Sequence, residues 1–157
     1  MVAIRWARVG EAETLSALCV RSKAHWGYDE EFMRLSAPSL RVSSTDIALN
    51  RVIVAVDDSG NLAGVASVSP QGENADLSLF FVDPPSMGKG VGRALFERTI
   101  WVAQFHATKA LTILADPNAA PFYERMGARF VRNAPSDSIP GRTLPLYEYD
   151  LTPETVS

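Results

Sequence analysis

The chain has 157 residues, of which 46% are hydrophobic, and this predicts a single domain over residues 1–157 with one buried core. Fifteen Lys and Arg residues against 18 Asp and Glu leave a net charge of −3, so we expect neither nucleic acid nor an anionic membrane as a partner. The lone cysteine, Cys19, excludes an intramolecular disulfide. With only two histidines, His25 and His106, a metal centre is not expected either.

The apolar stretches are too short to predict a membrane span. The longest aliphatic runs, such as residues 52–56, have the length of strands, and charged residues interrupt the apolar stretches near the N-terminus. These features predict a soluble protein of a reducing cytoplasm, without an export signal. We expect it to act as a monomer or a homodimer.

The hydrophobic periodicity of the first half predicts a strand, two helices and then a three-stranded meander. A strand over residues 2–9 comes first, and a helix with Leu15, Leu18 and Cys19 on one face follows it. A second short helix is expected over residues 28–35. Three β-branched or aromatic runs come next, and residues typical of turns separate them, so we expect antiparallel strands. These runs span residues 51–56, 62–69 and 75–82.

The second half predicts a helix, a strand, a last short helix and a closing hairpin. A helix over residues 91–106 carries an apolar stripe, and the nearly all-apolar run 109–115 is predicted as a strand buried on both faces beside a parallel neighbour. The short helix is expected after Asp116, and a long loop over residues 135–142 joins the hairpin arms. Together the elements predict one α+β domain. The stripe consists of Val91, Ala94, Leu95, Val102 and Phe105, and the arms span residues 128–133 and 143–151.

The most informative segment is a glycine-rich turn between a strand and a helix, Gly-Lys-Gly-Val-Gly-Arg-Ala at residues 88–94. Glycines at every second position leave backbone amides uncovered by side chains, so a bulky anion can approach them. The helix dipole and the side chains of Lys89 and Arg93 add favourable charge. A diphosphate is the ligand that this pattern predicts.

Two other phosphate-binding loops fit the spacing poorly. A Walker A loop needs Ser or Thr after Gly-Lys, where this chain has Gly90, and a glycine five residues before the Lys, where it has Pro84. A dinucleotide-binding Gly-x-Gly-x-x-Gly turn needs glycine at Arg93, although Asp116 after the next strand imitates its ribose-binding acid. Neither a P-loop NTPase nor a nucleotide-binding βαβ protein is favoured.

Residues 79–95 resemble motif A of the GNAT superfamily of acyl-CoA-dependent N-acyltransferases, in which a strand, a Gly-x-Gly-x-Gly/Ala turn and a helix hold the CoA pyrophosphate. A second signature, Ala-Asp-Pro-Asn-Ala-Ala-Pro-Phe-Tyr-Glu-Arg-Met-Gly-Ala at 115–128, stands where that family places it. The element order matches from residue 2 to about residue 151. The resemblance implies a mixed, mostly antiparallel central sheet flanked by helices, with acetyl-CoA as co-substrate and no metal.

The resemblance also implies roles for individual residues. Tyr123 matches the family tyrosine that protonates the leaving thiolate, and the backbone of Phe81 and Val82 is expected to pair with the pantetheine arm like an added strand. An amide near residues 79–80 is expected to polarise the thioester carbonyl for direct attack by an amine. The implied cofactor-binding positions are Phe81, Val82, Gly88, Lys89, Gly90, Val91, Gly92, Arg93, Ala94, Asn118 and Tyr123.

One position departs from the family pattern, and some assignments have structural alternatives. Met87 stands where the family usually has Gln or Arg, and losing that donor is expected to weaken the cofactor contact without abolishing it. Tyr123 has the alternative role of packing beside Phe122 in the core. Asn118 has the alternative role of capping the last helix, and Lys89 that of a solvated charge.

The acceptor side of the site rests on fewer signals. An attacking amine must be neutral, and Asp76, near the start of the strand that enters the site, is the first candidate base, with His25 the alternative. His25, Trp26 and Tyr28 lie in the link between the first two helices, which in the resembling fold forms a wall of the acceptor pocket. Arg142, in the long hairpin loop, is a candidate for binding a substrate carboxylate. Each of them has an ordinary alternative role in covering the core or facing solvent.

The sequence therefore predicts an acetyl-CoA-dependent N-acetyltransferase of GNAT-like fold. Its expected acceptor is a small molecule or amino-acid-like amine, acetylated by direct transfer, and a protein amine is the less favoured acceptor. The rival from another class is a non-catalytic acyl-CoA-binding or sensing module. Met87 and the unidentified base are the features that favour this rival.

Overall fold

Seven strands form one mixed sheet within residues 2–152, the part of the chain that this computed structural model describes. The strands are β1 Ala3–Trp6, β2 Val52–Val56, β3 Leu62–Gln71, β4 Asn74–Val82, β5 Ala110–Leu114, β6 Arg129–Pro135 and β7 Thr143–Asp150. Their order is β1-β2-β3-β4-β5-β7-β6, and only β4 with β5 runs parallel in this sheet of the described residues. The predicted mixed, mostly antiparallel α+β fold is confirmed. Residues 1 and 153–157 of the domain expected over residues 1–157 lie outside the described part.

The four helices expected from the sequence are all present, with ends shifted by a few residues. With one further helix, the α-helices are α1 Ala12–Ala24, α2 Glu30–Ser36, α3 Ser44–Ala48, α4 Val91–Phe105 and α5 Ala120–Arg125. The sequence pattern does not predict α3. It forms because the Ser43 hydroxyl accepts hydrogen bonds from the amides of Thr45 and Asp46 and so caps its start. Among residues 2–152, no helix has both the length and the apolar character needed to cross a membrane.

Helices cover both faces of the sheet, and each face has its own buried core. On one face, buried side chains of α1 pack with β2, β3 and β4, as the predicted stripe requires. On the other face, α4 and α5 pack over the same strands and β5. The first core includes Leu15, Leu18, Cys19, Val54 and Val65, and the second includes Leu95, Phe96, Val102, Leu111 and Tyr123. Because helices cover both faces of β2, β3 and β4, a ligand can reach the sheet where neighbouring strands separate.

The strand β5 is buried on one face rather than on both, so this part of the prediction is wrong. Leu111 and Ile113 are buried, whereas Thr112 and Leu114, on the opposite face, are partly exposed. The physical reason is that this face of β5 is not covered by a helix near its end. Leu114 instead lines a cavity beside β4.

The last residue of the predicted apolar stripe, Phe105, is also not part of the core. It is 53% exposed and packs against Trp101 and Trp6 in a surface cluster, with ring centroids 5.5 and 5.7 Å away. The stripe of α4 follows the sheet through Val91, Leu95 and Val102, but its last turn extends past the edge. Aromatic stacking then replaces burial for Phe105.

The two parallel strands diverge after a short paired stretch. Asn74–Asp76 of β4 pair with Ala110–Thr112 of β5, and the pairing stops there. At this point a bulge interrupts β4 at Ser78, because Ser67 of β3 pairs with Leu79 while its neighbour Val68 pairs with Leu77. Such a bulge increases the local twist and bends the strand. The rest of β4, from Leu77 to Val82, therefore separates from β5.

Candidate functional site

A cavity of about 380 Å³ lies where β4 and β5 separate. Its wall is mainly apolar, and β4, β5 and α5 supply Phe80, Phe81, Val82, Ile113, Leu114 and Phe122. The final turn of α1 contributes Ser22 and Lys23, and the segment before α4 contributes Met87. A mostly apolar cleft with a few polar groups is typical of a small-molecule site.

The glycine-rich turn before α4 presents unshielded backbone amides beside this cavity. Gly88 and Gly90 have positive φ angles of 76° and 81°, which residues other than glycine rarely adopt. A β-carbon placed on either residue would meet no atom within 4 Å, so the space over the turn is open. Gly90 is the N-cap residue of α4, and no side chain caps this helix. The amides therefore face space that an anion can fill.

The amides of residues 88–93 make no well-aligned hydrogen bond to an acceptor among residues 2–152. The amide of Ala94, by contrast, donates to the carbonyl of Gly90 at 3.3 Å and already belongs to the helix. The side chains of Lys89 and Arg93 are exposed at the same turn. A cluster of free donors at a helix N-terminus, with cations beside it, is chemically suited to a diphosphate.

Gly92 has a different local role from the two glycines before it. A β-carbon there would lie 3.3 Å from the ring of Phe122, so the absence of a side chain lets α4 and α5 approach closely. Val91 is buried in the core. Within the turn, these two residues therefore offer a ligand their backbone groups rather than their side chains.

Tyr123 lies on α5, buried among aromatic rings and at the wall of the cavity. Its ring packs against Phe80, Phe96 and Phe122, with centroids 5.9, 6.1 and 5.4 Å away. Burial raises the pKa of the Tyr123 hydroxyl well above its ordinary value, and the negative charge of Asp116 raises it further. The hydroxyl is thus protonated at neutral pH, as in an ordinary tyrosine, and the raised pKa makes it a weaker acid in the empty site.

A cluster of polar side chains lies at the end of β5, and we call it the Asp116 cluster: Lys23, Tyr28, Asp116, Asn118 and Arg142. Lys23 Nζ lies 2.6 Å from Asp116 Oδ2, and the Tyr28 hydroxyl donates to the same oxygen at 2.7 Å. The Asn118 side-chain amide donates to Asp116 Oδ1 at 3.0 Å and to the Tyr28 hydroxyl at 3.1 Å. Arg142 Nη2 also donates to that hydroxyl at 3.1 Å.

The carboxylate at the centre of the Asp116 cluster is ionised. Burial acts to raise the pKa of Asp116, but hydrogen bonds from Lys23 and Tyr28 outweigh it and hold the pKa below its usual value. For the Tyr28 hydroxyl, burial and the hydrogen bond to Asp116 raise the pKa. Tyr28 is thus a neutral donor to a charged acceptor, which is a strong type of hydrogen bond.

A family model described as the acetyltransferase (GNAT) domain matches residues 28–137. The chain belongs to the GNAT acetyltransferase family. The resemblance seen in the two sequence motifs is therefore confirmed. No curated protein sequence matches the chain.

Solved structures share the fold of this GNAT acetyltransferase at low sequence identity. The PaiA N-acetyltransferase from Thermoplasma acidophilum, in complex with coenzyme A, is 16% identical with a TM-score of 0.77, covering 96% of this chain and 99% of its own. YncA from Salmonella typhimurium, with its cofactor acetyl-CoA, is 18% identical with a TM-score of 0.68, covering 100% of this chain and 98% of its own. At these identities the likeness shows the fold alone.

A third structure is longer than this GNAT acetyltransferase. N-acetylglutamate synthase from Neisseria gonorrhoeae, complexed with coenzyme A and N-acetyl-glutamate, is 20% identical with a TM-score of 0.68. The alignment covers 98% of this chain but only 36% of the synthase. The shared part is therefore one fold unit within a larger enzyme.

The fold of this GNAT acetyltransferase brings together many of the side chains that the sequence assigns to the site. The cavity is lined by six of the predicted residues: Trp26, Phe81, Val82, Gly92, Asn118 and Tyr123. Tyr28 and Arg142 meet in the adjoining Asp116 cluster. Asn118 does not cap α5, since the N-cap residue is Ala119 and no side chain caps it. Tyr123 both packs beside Phe122, as the structural alternative expects, and lines the cavity.

The two candidate bases lie outside the cavity wall. His25 is exposed, and its ring packs edge-on against Trp26 with centroids 5.6 Å apart. Asp76 is half-buried on β4, next to Leu77, and Oδ1 accepts a 3.1 Å hydrogen bond from the Thr112 hydroxyl. Burial raises the pKa of Asp76, the Thr112 hydrogen bond opposes this, and the nearby charge of Asp137 adds to it.

Sequence reasoning missed Lys23 and its ion pair with Asp116. The two residues are 93 positions apart, and no local pattern links the last turn of α1 to the loop after β5. In the sequence, Asp116 belongs to the second signature and imitates a ribose-binding acid, and neither feature links it to Lys23. Among residues 2–152, no three His, Cys, Asp or Glu side chains cluster closely enough to hold a metal ion.

Proposed function

We propose that this GNAT acetyltransferase is a single-domain enzyme that transfers the acetyl group of acetyl-CoA to the amine of a small molecule or amino-acid-like acceptor. One observation carries the proposal: the glycine-rich turn, with its unshielded amides, meets at Met87 and Gly92 a cavity that is also lined by Tyr123 and by part of the Asp116 cluster. The solved PaiA and YncA structures, which hold coenzyme A and acetyl-CoA, support it. The N-acetyl-glutamate in the synthase structure supports an amino-acid-like acceptor.

The turn before α4 is proposed to bind the CoA diphosphate. The open space over Gly88 and Gly90 lets phosphate oxygens reach the amides of residues 88–93, which have no well-aligned acceptor among the described residues. Lys89 and Arg93 add positive charge at the same place. Met87 lines the cavity beside this turn and offers no strong donor, so the backbone is expected to dominate the contact.

The free edge of β4 is proposed to hold the pantetheine arm. Beyond Asp76 this edge is unpaired with β5. The Asp83 amide donates to the Ala63 carbonyl of β3, so the alternation along the strand turns the backbone groups of Phe81 toward β3 and leaves the amide and carbonyl of Val82 for an extended ligand. Val82 is therefore proposed as the main backbone contact, with Phe81 beside it. The Asn118 side chain, at the wall of the same cavity, is proposed as a further contact. The separation of β4 from β5 thus gives the arm a slot between two strands.

Bound acetyl-CoA supplies an acetyl group activated as a thioester. An amide near residues 79–80 is proposed to donate to the carbonyl oxygen as negative charge develops there. Tyr123 is proposed to give the proton at Oη to the departing sulfur, since the negative charge that develops on the thiolate favours this transfer from a neutral hydroxyl. The aromatic packing of Tyr123 restricts the motion of its ring.

Asp76 is proposed as the base that takes a proton from the acceptor amine, with His25 as the alternative. The raised pKa of Asp76 makes this carboxylate a better proton acceptor than an ordinary aspartate. Its neighbours along β4, Leu77 and Ser78, line the cavity. Because the Asp76 side chain does not line the cavity, the proton of the acceptor amine is proposed to reach Asp76 through water.

The experiment is a thiol-release assay with acetyl-CoA over a library of amino acids, simple amines, polyamines and peptides. We expect turnover with a small subset of small amines and micromolar-class binding of acetyl-CoA and CoA, but not NAD, by calorimetry. Turnover restricted to peptides would contradict the proposed acceptor class. Tight acetyl-CoA binding with no turnover for any amine would favour the binding or sensing module instead.

A further inference from the structure

We propose that the acceptor carries a carboxylate as well as an amine, and that Lys23 and Arg142 together bind this carboxylate. The inference rests on the proposed function and narrows its substrate class. It assigns Lys23, which the sequence pattern does not single out, as a specificity-determining residue. Simple diamines and polyamines are excluded as good acceptors by the same arrangement.

The Asp116 cluster contains more positive than negative charge. Two cations share one carboxylate, since Lys23 Nζ is 2.6 Å and Arg142 Nη2 is 3.9 Å from Asp116 Oδ2. The side chains are 14%, 20% and 13% exposed for Lys23, Arg142 and Asp116, so water screens them poorly. The cluster therefore holds an excess positive charge in a mostly buried position.

Lys23 and Arg142 have unused hydrogen-bond donors. A lysine ammonium has three N–H donors and an arginine guanidinium has five. Within the described residues, Lys23 donates to Asp116 alone and the Arg142 side chain donates to the Tyr28 hydroxyl alone. Since most N–H groups of both cations lack a protein acceptor, they can bind another anion without breaking the cluster.

Aromatic rings contact both cations, Lys23 and Arg142, and hold them in place. Tyr28 and Phe32 stack with centroids 3.9 Å apart. Lys23 Nζ lies 5.2 Å from the Tyr28 ring, and the Arg142 guanidinium lies 4.8 Å from the Phe32 ring. Such contacts favour the charged forms and restrict side-chain motion. The anion site is therefore organised before a ligand arrives.

The Asp116 cluster reaches the acceptor cavity through Lys23 and Asp116. Lys23 and Asp116 line the cavity, and Arg142 adjoins this wall, with Nη2 3.9 Å from Asp116 Oδ2. Together with Arg125, the third charged residue at the cavity wall in the described part of the chain, they give this end of the cavity an excess of positive charge. A carboxylate on the acceptor would neutralise this excess, whereas a second ammonium group would be repelled. The cavity is thus electrostatically selective for an anionic amine.

The test compares matched acceptors in the thiol-release assay: α-amino acids, their carboxamides and the corresponding decarboxylated amines. Wild-type protein should prefer the carboxylate form by at least about tenfold in kcat/KM, since a hydrogen bond to a charged group is lost in the others. Lys23→Met and Arg142→Gln should each raise KM for the carboxylate form by about tenfold and leave the carboxamide nearly unchanged. Lys23→Arg, which keeps the charge, should retain most of the preference.

Two controls make the result specific. Lys109→Met and Arg129→Gln remove cations from exposed ion pairs elsewhere, and they should behave as wild type. The dissociation constant of CoA should not change in Lys23→Met or Arg142→Gln. A loss of CoA affinity equal to the loss of acceptor affinity would overturn the proposal, because the cations would then serve the cofactor.

Turnover of carboxamides or polyamines that equals or exceeds that of the α-amino acids would also overturn the proposed carboxylate site. If no amine is acetylated at all, the proposed function fails while the carboxylate site can still be judged by calorimetry. In that case N-acetyl amino acids should bind the CoA-loaded wild-type protein, and their carboxamides should bind at least about tenfold more weakly. Equal binding of the two forms would reject the site.

Discussion

The hydroxyl of Tyr28 donates a 2.7 Å hydrogen bond to Oδ2 of Asp116, and so joins the link after α1 to the loop after β5. The same hydroxyl accepts hydrogen bonds from Asn118 and Arg142. One oxygen atom therefore connects three segments that are distant in sequence, including the residue that precedes β7. These segments carry the residues that we assign to the acceptor side of the site.

Tyr28→Phe should destabilise the protein and weaken acceptor binding. The variant loses a hydrogen bond to a charged carboxylate, so the free energy of unfolding should fall by about 1–3 kcal/mol. The KM of the acceptor should rise, whereas the dissociation constant of CoA should change little. Urea unfolding and steady-state kinetics measure the two effects. The matched control is Tyr149→Phe, whose hydroxyl makes no hydrogen bond among residues 2–152, and equal stability of both variants would contradict the prediction.

Tyr123→Phe should reduce turnover far more than cofactor affinity. Removal of a general acid typically costs a factor of about 10² to 10⁴ in rate. The ring and its packing against Phe80, Phe96 and Phe122 are retained, so the fold and the cavity wall should persist. We expect kcat to fall by at least about tenfold, with CoA binding by calorimetry within about twofold of wild type. An unchanged kcat would remove Tyr123 as the acid.

The cofactor side of the site could be predicted from the sequence because its signals are local. The glycines at 88, 90 and 92 lie within one turn, and the backbone alone determines what they can bind. Tyr123 and Asn118 likewise stand in one continuous motif. The order of strands and helices follows from hydrophobic period, which needs only short windows of sequence.

The acceptor side could not be predicted in the same way because its contacts are made between distant segments. Lys23 reaches Asp116 only after α1 has packed on the sheet and β5 has been placed beside β4. The separation of β4 and β5 depends on a bulge at Ser78, and no residue type marks a bulge reliably. Phe105 has the period of a core residue but lies beyond the sheet edge.

Gly90→Val should block cofactor binding while leaving the fold intact. A β-carbon at this position meets no protein atom within 4 Å, so the new side chain would occupy the space over the free amides. The positive φ of 81° adds backbone strain of about 1–2 kcal/mol for a residue with a side chain. We expect acetyl-CoA affinity in calorimetry to fall by at least about tenfold, which corresponds to about 1.4 kcal/mol.

The control for this variant is Gly72→Val in the turn between β3 and β4. Gly72 has a positive φ of 64° and equally open surroundings, but it lies at the opposite end of β4. It should show a similar loss of stability in urea and wild-type affinity for acetyl-CoA. If both variants lose cofactor affinity to the same extent, strain rather than blocked amides is the cause.

Asp76→Asn should make the protein more stable at neutral pH and less active. Burial raises the pKa of Asp76 in the folded state, so the folded protein keeps a proton that the unfolded chain has lost. The stability that Asp76 contributes is therefore fully present below its unfolded pKa of about 3.9 and declines as pH rises through the folded pKa. Asparagine does not ionise, and it can still accept the hydrogen bond of Thr112.

The measurement is the free energy of unfolding in urea from pH 3 to pH 8 for both proteins. The advantage of Asp76→Asn should be near zero at the acid end, grow as pH rises and then level off above the folded pKa. Asp57→Asn should show the opposite trend, because amides of Asn61 and Ser59 lower the pKa of Asp57. Parallel profiles for wild type and Asp76→Asn would contradict the raised pKa. Unchanged kcat in Asp76→Asn would instead show that the acceptor proton leaves by another route.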